Sequence, residues 1–339
     1  MSSRRGGRDE RRLVHLRNGW GAIWFDGMSL RFNFHFPEAK GPDADLFQAG
    51  DIAAVAAAAE RSGFDGFSLS DHPIPSDQWL RTSGHQTLDP LVGLAFAAGS
   101  TERLRLITHL LVAPYRQPFL LAKAAATLDT LSHGRLTLGM GAGYMTSEYT
   151  ALGVSFDERN VLFDEALDVL PRHWSGAPFS YSGSHFTADD VTARPAPPQQ
   201  PIPIWIGGNS PLSRRRVAAK AQGWMPMIGG PAVSAAARTS PIATLAEGAA
   251  HITAVKESAV AAGRTDVLDF MVPYFADGSV LREPERHRDA LAELEEAGIT
   301  WVTVSTRAVD FAATSDFLAG FGELYIDLSG DVKSANVTA

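Results

Sequence analysis

The tetrapeptide Ser70-Asp71-His72-Pro73 sets a carboxylate beside an imidazole directly after a run of strand-forming residues. An aspartate so placed can accept hydrogen bonds from a bound ring system, and a histidine can exchange protons near neutral pH. The same pair can equally cap and orient the loop that Pro73 opens. A second segment, Gly139-Met140-Gly141-Ala142-Gly143, alternates glycine with small or apolar residues, which lets backbone approach a ligand and exposes N–H groups. It lacks the spacing and the following acidic residue of a dinucleotide fingerprint, and alternate glycines also serve plain tight turns. A third segment runs from Ile204-Trp205-Ile206 through Gly207-Gly208 to Asn209 or Ser210 as a helix cap and Pro211 in the first helical turn. Arg214, Arg215 and Arg216 follow on that helix; free N–H groups and a positive helix end make an anion site, the alternative being an ordinary capped helix after a tight turn, and phosphate is favoured because the rim after a late barrel strand commonly holds it. Thr108-His109-Leu110 and His35 contribute further histidines. A lone histidine is more often a packing residue than a catalyst, and no His-x-His or His-Glu-x-x-His accompanies them, which disfavours a metal site.

Each of these segments falls where a strand gives way to a helix. Residues 104–112, 119–131 and 136–140 read strand, helix, strand without a break, and the pattern recurs along the chain. Strands are expected at 30–36, 66–70, 104–112, 136–140, 204–206, 223–227, 268–275 and 301–305. The helices that follow them are expected at 48–62, 89–98, 119–131, 156–174, 210–222, 242–262, 285–297 and 310–325. Phe32, Phe34 and Phe36 alternate with Asn33 and His35, which is the period of a strand. Eight alternations predict an α/β fold of the (β/α)8 TIM-barrel type, because an open doubly wound sheet seldom carries so many repeats without dividing. In such a barrel the chemistry sits at the carboxyl ends of the strands, where these segments lie.

Residues 179–181 and 184–186 flank Ser182-Gly183 as a hairpin, and the proline-rich stretch 194–203 returns from it, so a small insertion is expected between the fourth helix and the fifth strand. Residues 228–241, rich in Gly, Ala, Ser and Pro, read as a loop over the mouth. The first 27 residues, with Arg4, Arg5, Arg8, Arg11 and Arg12, read as a disordered extension or an over-called start upstream of Met28. Residues 28–328 then form one domain, and 329–339 fray.

Composition bounds the partners. The 339 residues are 45% hydrophobic and 20% charged with no cysteine, which excludes disulfides and thiolate chemistry. A formal net charge of −8 argues against nucleic acid. No apolar run is long enough to span a membrane, and a cytoplasmic location is the simplest expectation.

Taken together, the segments resemble the bacterial luciferase-like superfamily of flavin and deazaflavin oxidoreductases. The resemblance is carried by Gly63-Phe64-Asp65-Gly66 with Ser70-Asp71-His72, by residues 122–129 with Ser132-His133-Gly134-Arg135, by the 139–143 glycine run, by Glu148-Tyr149 through Leu152-Gly153 to Arg159, and by residues 203–208. Asp71-His72 is similar to the branch that uses the deazaflavin coenzyme F-420. That likeness implies ring contact for Asp71, a place beside the reacting face for His72, and a cis peptide at His109–Leu110 backing the ring next to Thr108. It also implies phosphate contacts from Ala142, Gly143, Ser147, Gly207, Gly208, Asn209 and Ser210.

One departure matters: Tyr144 stands where the sugar-phosphate dehydrogenases of this branch carry a catalytic glutamate. The sugar-phosphate reaction is therefore not expected, and Tyr144 is left to bind a substrate oxygen or to wall the pocket. The leading expectation is hydride transfer between coenzyme F-420 and a small organic substrate, with His72 handling a proton and Tyr144 assisting. The alternatives are an FMN-dependent monooxygenase fed by a separate reductase, a non-catalytic cofactor-binding relative and, last, a metal hydrolase. Relatives often pair through their second and third helices, so a homodimer is expected.

Overall fold

The computed structural model describes residues 30–326 apart from 83, 237, 275–278 and 309. The expected extension (1–27) and tail (329–339) lie outside the described residues. The chain opens with β1 (Arg31–His35), α1 (Ile52–Arg61), β2 (Gly66–Leu69), α2 (Asp77–Thr82) and α3 (Pro90–Ala98). It continues through β3 (Arg105–Thr108), β4 (Leu111–Val112), α4 (Pro118–Leu131), β5 (Leu136–Gly141), α5 (Thr146–Ala151) and α6 (Arg159–Trp174). The hairpin β6 (Phe179–Ser182) and β7 (Thr187–Val191) precedes β8 (Ile204–Gly207), α7 (Pro211–Lys220), β9 (Gly223–Met225), α8 (Pro231–Ala236) and α9 (Leu245–Ala261). Last come β10 (Asp269–Pro273), α10 (Pro284–Glu296), β11 (Trp301–Val304) and α11 (Phe311–Tyr325).

The parallel strands run in the order β3-β2-β1-β11-β10-β9-β8-β5, and pairing of β3 with β5 closes the ring. This is the expected (β/α)8 barrel, with β4 continuing the third strand after an interruption. The alternation in β1 explains both layers. Phe32, Phe34 and Phe36 point outward and are buried beneath the helices, where Phe32 and Phe64 both meet Phe321. Asn33 points inward, donating to Ser68 Oγ at 2.8 Å and to Thr303 Oγ1 at 3.2 Å across neighbouring strands. The barrel interior is filled by Ile107, Trp205, Met225, Met271 and Trp301, the two indoles meeting edge to face with centroids 5.4 Å apart.

Three expectations need correction. The third strand is not continuous over 104–112 but breaks between Thr108 and Leu111. The second hairpin strand is Thr187–Val191 rather than 184–186. Gly183 N–H donates to Phe186 O, while the amides of His185 and Phe186 turn to the Glu165 carboxylate, so those residues make the turn. The 228–241 stretch holds the short helix α8, opened by Pro231 and sustained by alanines, a composition that favours helix.

Arg135, in the turn between α4 and β5, is 6% exposed and donates to Ser132 O, Thr101 Oγ1, Leu104 O and Ala98 O. It thereby ties the end of α3 and the start of β3 to the start of β5. Arg135→Leu strands these acceptors without water, so unfolding free energy should fall by about 3 kcal/mol. A denaturant midpoint equal to that of the parent chain would remove Arg135 from this role.

Candidate active site at the barrel mouth

The break in the third strand is a bulge. Ile107 pairs with Thr137 and Leu111 with Met140, so four steps along one strand face three along the other. The His109–Leu110 peptide within it is cis, as the resemblance implied. Thr108 is fully buried and donates Oγ1–H to Gly139 O at 2.7 Å, pinning the start of the bulge. A Cβ on Gly139 would lie 2.1 Å from Thr108 O, so only glycine allows this approach. Leu110 reaches across the mouth: a Cβ on Gly207 would fall 2.2 Å from Leu110 Cδ1, and one on Gly141 3.4 Å from the same atom. The bare strand ends of β5 and β8 are thus the space into which the Leu110 side chain fits.

The other end of the bulge is held by Asp71. Its Oδ2 accepts from Val112 N at 2.8 Å and from Arg116 Nη1 at 2.6 Å, and its Oδ1 accepts from Arg116 Nη2 at 3.0 Å. Asp71 is 3% exposed, so a bidentate ion pair occupies both oxygens in this structure. In this structure the Asp71 carboxylate fixes the end of β4. Arg116 also bonds Asp89, the N-cap of α3.

His72 lies one residue on, its backbone bonded to Thr87 Oγ1 through both N–H and C=O at 3.2 Å. Trp79 packs on the imidazole at 4.6 Å, His85 at 5.5 Å and Tyr144 at 6.0 Å between centroids. Its Nδ1 points to Glu148 Oε2 at 3.4 Å, an oxygen that also accepts from Tyr115 O–H at 2.8 Å. Burial and the neighbouring Glu148 hold the Tyr115 hydroxyl well above its ordinary range, so it remains a donor. Tyr144 is also pushed up by burial and by Glu148, against the opposing charge of Arg238.

Behind His85 sits a second acid. Glu38 accepts from Ser70 N at 2.9 Å and Ser70 Oγ at 2.7 Å, and lies 3.3 Å from His35 Nε2 and 3.1 Å from His85 Nε2. Burial alone would raise this carboxyl, but the charges and hydrogen bonds of His35 and His85 hold it well below the usual range. His109 meets His35 edge to face at 5.3 Å, and its Nδ1 is buried with no hydrogen-bond partner among the described residues. Burial first, then His35, lowers His109 to about 3, leaving a neutral ring at physiological pH.

The expected phosphate segment divides in two. Gly208 takes the left-handed conformation, with φ +90°, and Ser210 caps α7 by accepting from Ser213 N at 3.0 Å. Asn209 is wholly buried and occupied: Nδ2 donates to Met227 O and Ser240 O, Oδ1 accepts from Met227 N, and its amide donates to Thr239 Oγ1. It clamps the α8 loop instead of presenting a side chain to the mouth. From that loop Arg238 reaches the rim of β5, with its guanidinium 5.5 Å from the Tyr144 ring centroid and Nη1 3.3 Å from Tyr144 O. Ala142 O accepts from Tyr149 O–H, Gly143 has φ +71°, and Ser147 is exposed on α5.

The structure therefore brings His72, Tyr144, His109, Leu110, Gly141 and Gly207 to the strand ends, while Thr108, Asp71 and Asn209 brace them from below and behind. Sequence reasoning assigned no role to Glu148, Tyr115, Glu38, His85, Arg116 or Arg238. Glu148 belongs to a motif already singled out, but nothing in its spacing reveals that α5 turns it under His72. Among the described residues no cluster of His, Cys, Asp or Glu is arranged to hold a metal. Two surface grooves, of about 470 Å³ between α4, α6 and the hairpin and of about 520 Å³ between α7 and α9, lie on the outer helical layer; Arg214 lines the second, and neither involves His72, Tyr144, His109 or Leu110. The mouth fits a flat cofactor with an anionic tail. Leu110 makes an apolar ledge, His72 Nε2 and His109 Nδ1 have no hydrogen-bond partner among the described residues, and Ser210, Arg214 and Arg238 stand near the glycine ends.

Comparison with known proteins agrees with this geometry. The family model for luciferase-like monooxygenase matches residues 28–276. An F-420-dependent glucose-6-phosphate dehydrogenase of Beutenbergia cavernae is 32% identical over 257 residues, covering 75% of this chain and 73% of that protein. An uncharacterised protein of Mycobacterium tuberculosis is 32% identical over 191 residues, covering 51% of this chain and 66% of its own length. Among solved structures, an F-420-dependent secondary alcohol dehydrogenase superposes with TM-score 0.67 at 17% identity, covering 88% of this chain and all of that one. No helix among the described residues is long and apolar enough to cross a membrane. The extent of the family match, together with the barrel and its bulged third strand, shows that the chain belongs to the luciferase-like monooxygenase family.

Proposed function

We propose that this protein is a coenzyme F-420-dependent oxidoreductase that transfers a hydride between the deazaflavin and a small organic substrate held in the barrel mouth. The observation that carries this reading is the Leu110 ledge at the Gly141 and Gly207 strand ends, together with a rim histidine whose Nε2 has no hydrogen-bond partner among the described residues. The F-420 dependence named for the Beutenbergia cavernae relative supports the same cofactor. When bound, the deazaflavin supplies a two-electron hydride acceptor or donor. The protein's own work is to hold ring and substrate in contact, to exclude water beneath the α8 loop, and to manage a proton at His72 Nε2. Leu110 and His109 would back the ring, and Gly143, Ser147, Gly207, Gly208 and Ser210 would meet the phosphate, with Arg214 and Arg238 adding charge. Asp71 and Asn209 serve as braces in this account, the first for the bulge and the second for the loop.

Tyr144, packed against His72 and Arg238, would line the substrate space, which argues against the sugar-phosphate substrate of the dehydrogenases this chain resembles. We read residues 28–328 as one cytoplasmic barrel domain that pairs with a second copy through α3 and α4, where Val92, Phe96, Leu120 and Leu131 are exposed at 66–72%. A second reading, FMN-dependent oxygenation fed by a separate reductase, is favoured by the likeness in fold to a monooxygenase of Streptomyces bottropensis (TM-score 0.69, 21% identity).

Fluorescence titration with coenzyme F-420 and with FMN decides between the two: saturable F-420 binding at least about tenfold tighter than FMN is expected, about 1.4 kcal/mol. The reverse order would establish the oxygenase reading. His72→Ala should lower kcat more than cofactor affinity, and an unchanged kcat would remove His72 from proton handling. Gly207→Ala forces Leu110 off its seat and into the mouth, so F-420 affinity should drop about tenfold, the effect of 1–3 kcal/mol of overpacking. Undiminished affinity in that variant would place the cofactor elsewhere.

A further inference from the structure

The side chain that fixes how His72 meets the mouth lies out of contact with it. Glu148, on the short helix α5, is fully buried and carries no hydrogen to donate as a carboxylate. Its Oε2 receives the Tyr115 hydroxyl at 2.8 Å and faces His72 Nδ1 at 3.4 Å, and its Oε1 receives Ile74 N–H at 3.4 Å. An acceptor at that place is matched only by a protonated Nδ1. We propose that Glu148 is the positioning residue of His72, holding the imidazole with its proton on Nδ1 and presenting Nε2 as an acceptor to the mouth. The inference rests on the reading of that mouth as the reaction site.

The surroundings leave Glu148 this task. Tyr115 is kept protonated by burial and by Glu148 itself, so it gives its one hydrogen to the carboxylate. Tyr144 and Tyr149, the other two hydroxyls under the influence of Glu148, are both held above their ordinary range, mainly by burial. Asp71, next to His72 in the chain, is already paired with Arg116. His85, on the far side of the imidazole, is itself committed to Glu38. Trp79 and Tyr144 pack against the imidazole at 4.6 and 6.0 Å between centroids, so the ring is packed as well as hydrogen-bonded. A proton taken by Nε2 from substrate then gives the ring a positive charge facing Glu148, which offsets it. Return of that proton restores the neutral ring.

The test is ¹⁵N NMR of histidine-labelled protein without cofactor, with the His72 signals assigned by their loss in His72→Gln. The parent chain should show Nδ1 protonated and Nε2 bare. Glu148→Leu removes the acceptor at similar volume, and the ratio of the two tautomers should shift by about tenfold or more toward Nε2–H, as for a hydrogen bond to a charged group. Glu148→Gln keeps an acceptor oxygen and should restore the Nδ1–H form. A parent chain with Nε2–H, or a Glu148→Leu protein with unchanged tautomers, overturns the proposal. If Glu148→Leu does not fold, the parent chain and Glu148→Gln still decide it. F-420 titration of the same samples separates the two readings, because absent F-420 binding with the expected tautomer refutes the cofactor and leaves the role of Glu148 standing.

Discussion

An additional residue in the third strand, set between Thr108 and Leu111, governs the geometry of the mouth. Because β5 advances three residues while its neighbour advances four, the surplus leaves the wall of the barrel. One end of that segment is bound to the Asp71–Arg116 ion pair through Val112, and the other lays Leu110 over the ends of β5 and β8. Glycine at 139 and 207 follows from the same cause, since these are the positions where a Cβ would strike Thr108 O or Leu110 Cδ1. The bulge therefore couples the acid–histidine segment to the glycine-ended strand across the mouth, although they are far apart in sequence.

Three buried carboxylates sit close to this segment, and each is satisfied differently. Asp71 takes a bidentate arginine, Glu38 takes Ser70 and two imidazoles, and Glu148 takes a tyrosine hydroxyl, an amide and His72. A buried acid without such partners would be costly, and the mode of payment determines the use. The arginine pair engages both oxygens of Asp71, and Oδ2 also takes Val112 N–H. Of the imidazoles beside these acids, His35 is bonded at both nitrogens, to Ser68 and Glu38, whereas Glu148 engages His72 at Nδ1.

Much of this was open to sequence reasoning, for physical reasons that differ from residue to residue. The eight strand–helix alternations are written in periodicity, and the alternation of Phe32, Phe34 and Phe36 with Asn33 and His35 reports two-sided burial directly. Gly207, Gly208 and Ser210 could be placed at a strand end and helix cap because their backbone needs are local. The work of Asn209 could not be foreseen, because its partners Met227, Thr239 and Ser240 come from a loop about 20–30 residues away, built around a helix that its composition only hints at. Glu148 escaped for the same reason: its partners Tyr115, Ile74 and His72 belong to other strand–helix units, and only the lateral pairing of β2, β3 and β5 brings them together.

The central claim, that the bulge and the two flanking glycine ends form one cofactor seat, is tested most directly by a crystal structure of the protein with coenzyme F-420 bound. The account predicts the deazaflavin ring against Leu110 with His72 Nε2 on its open side, and the phosphate within hydrogen-bond reach of the Gly207–Ser210 segment. Density for the cofactor outside the barrel, as in the groove lined by Phe119, Lys123 and His173, with the mouth unchanged, would contradict it.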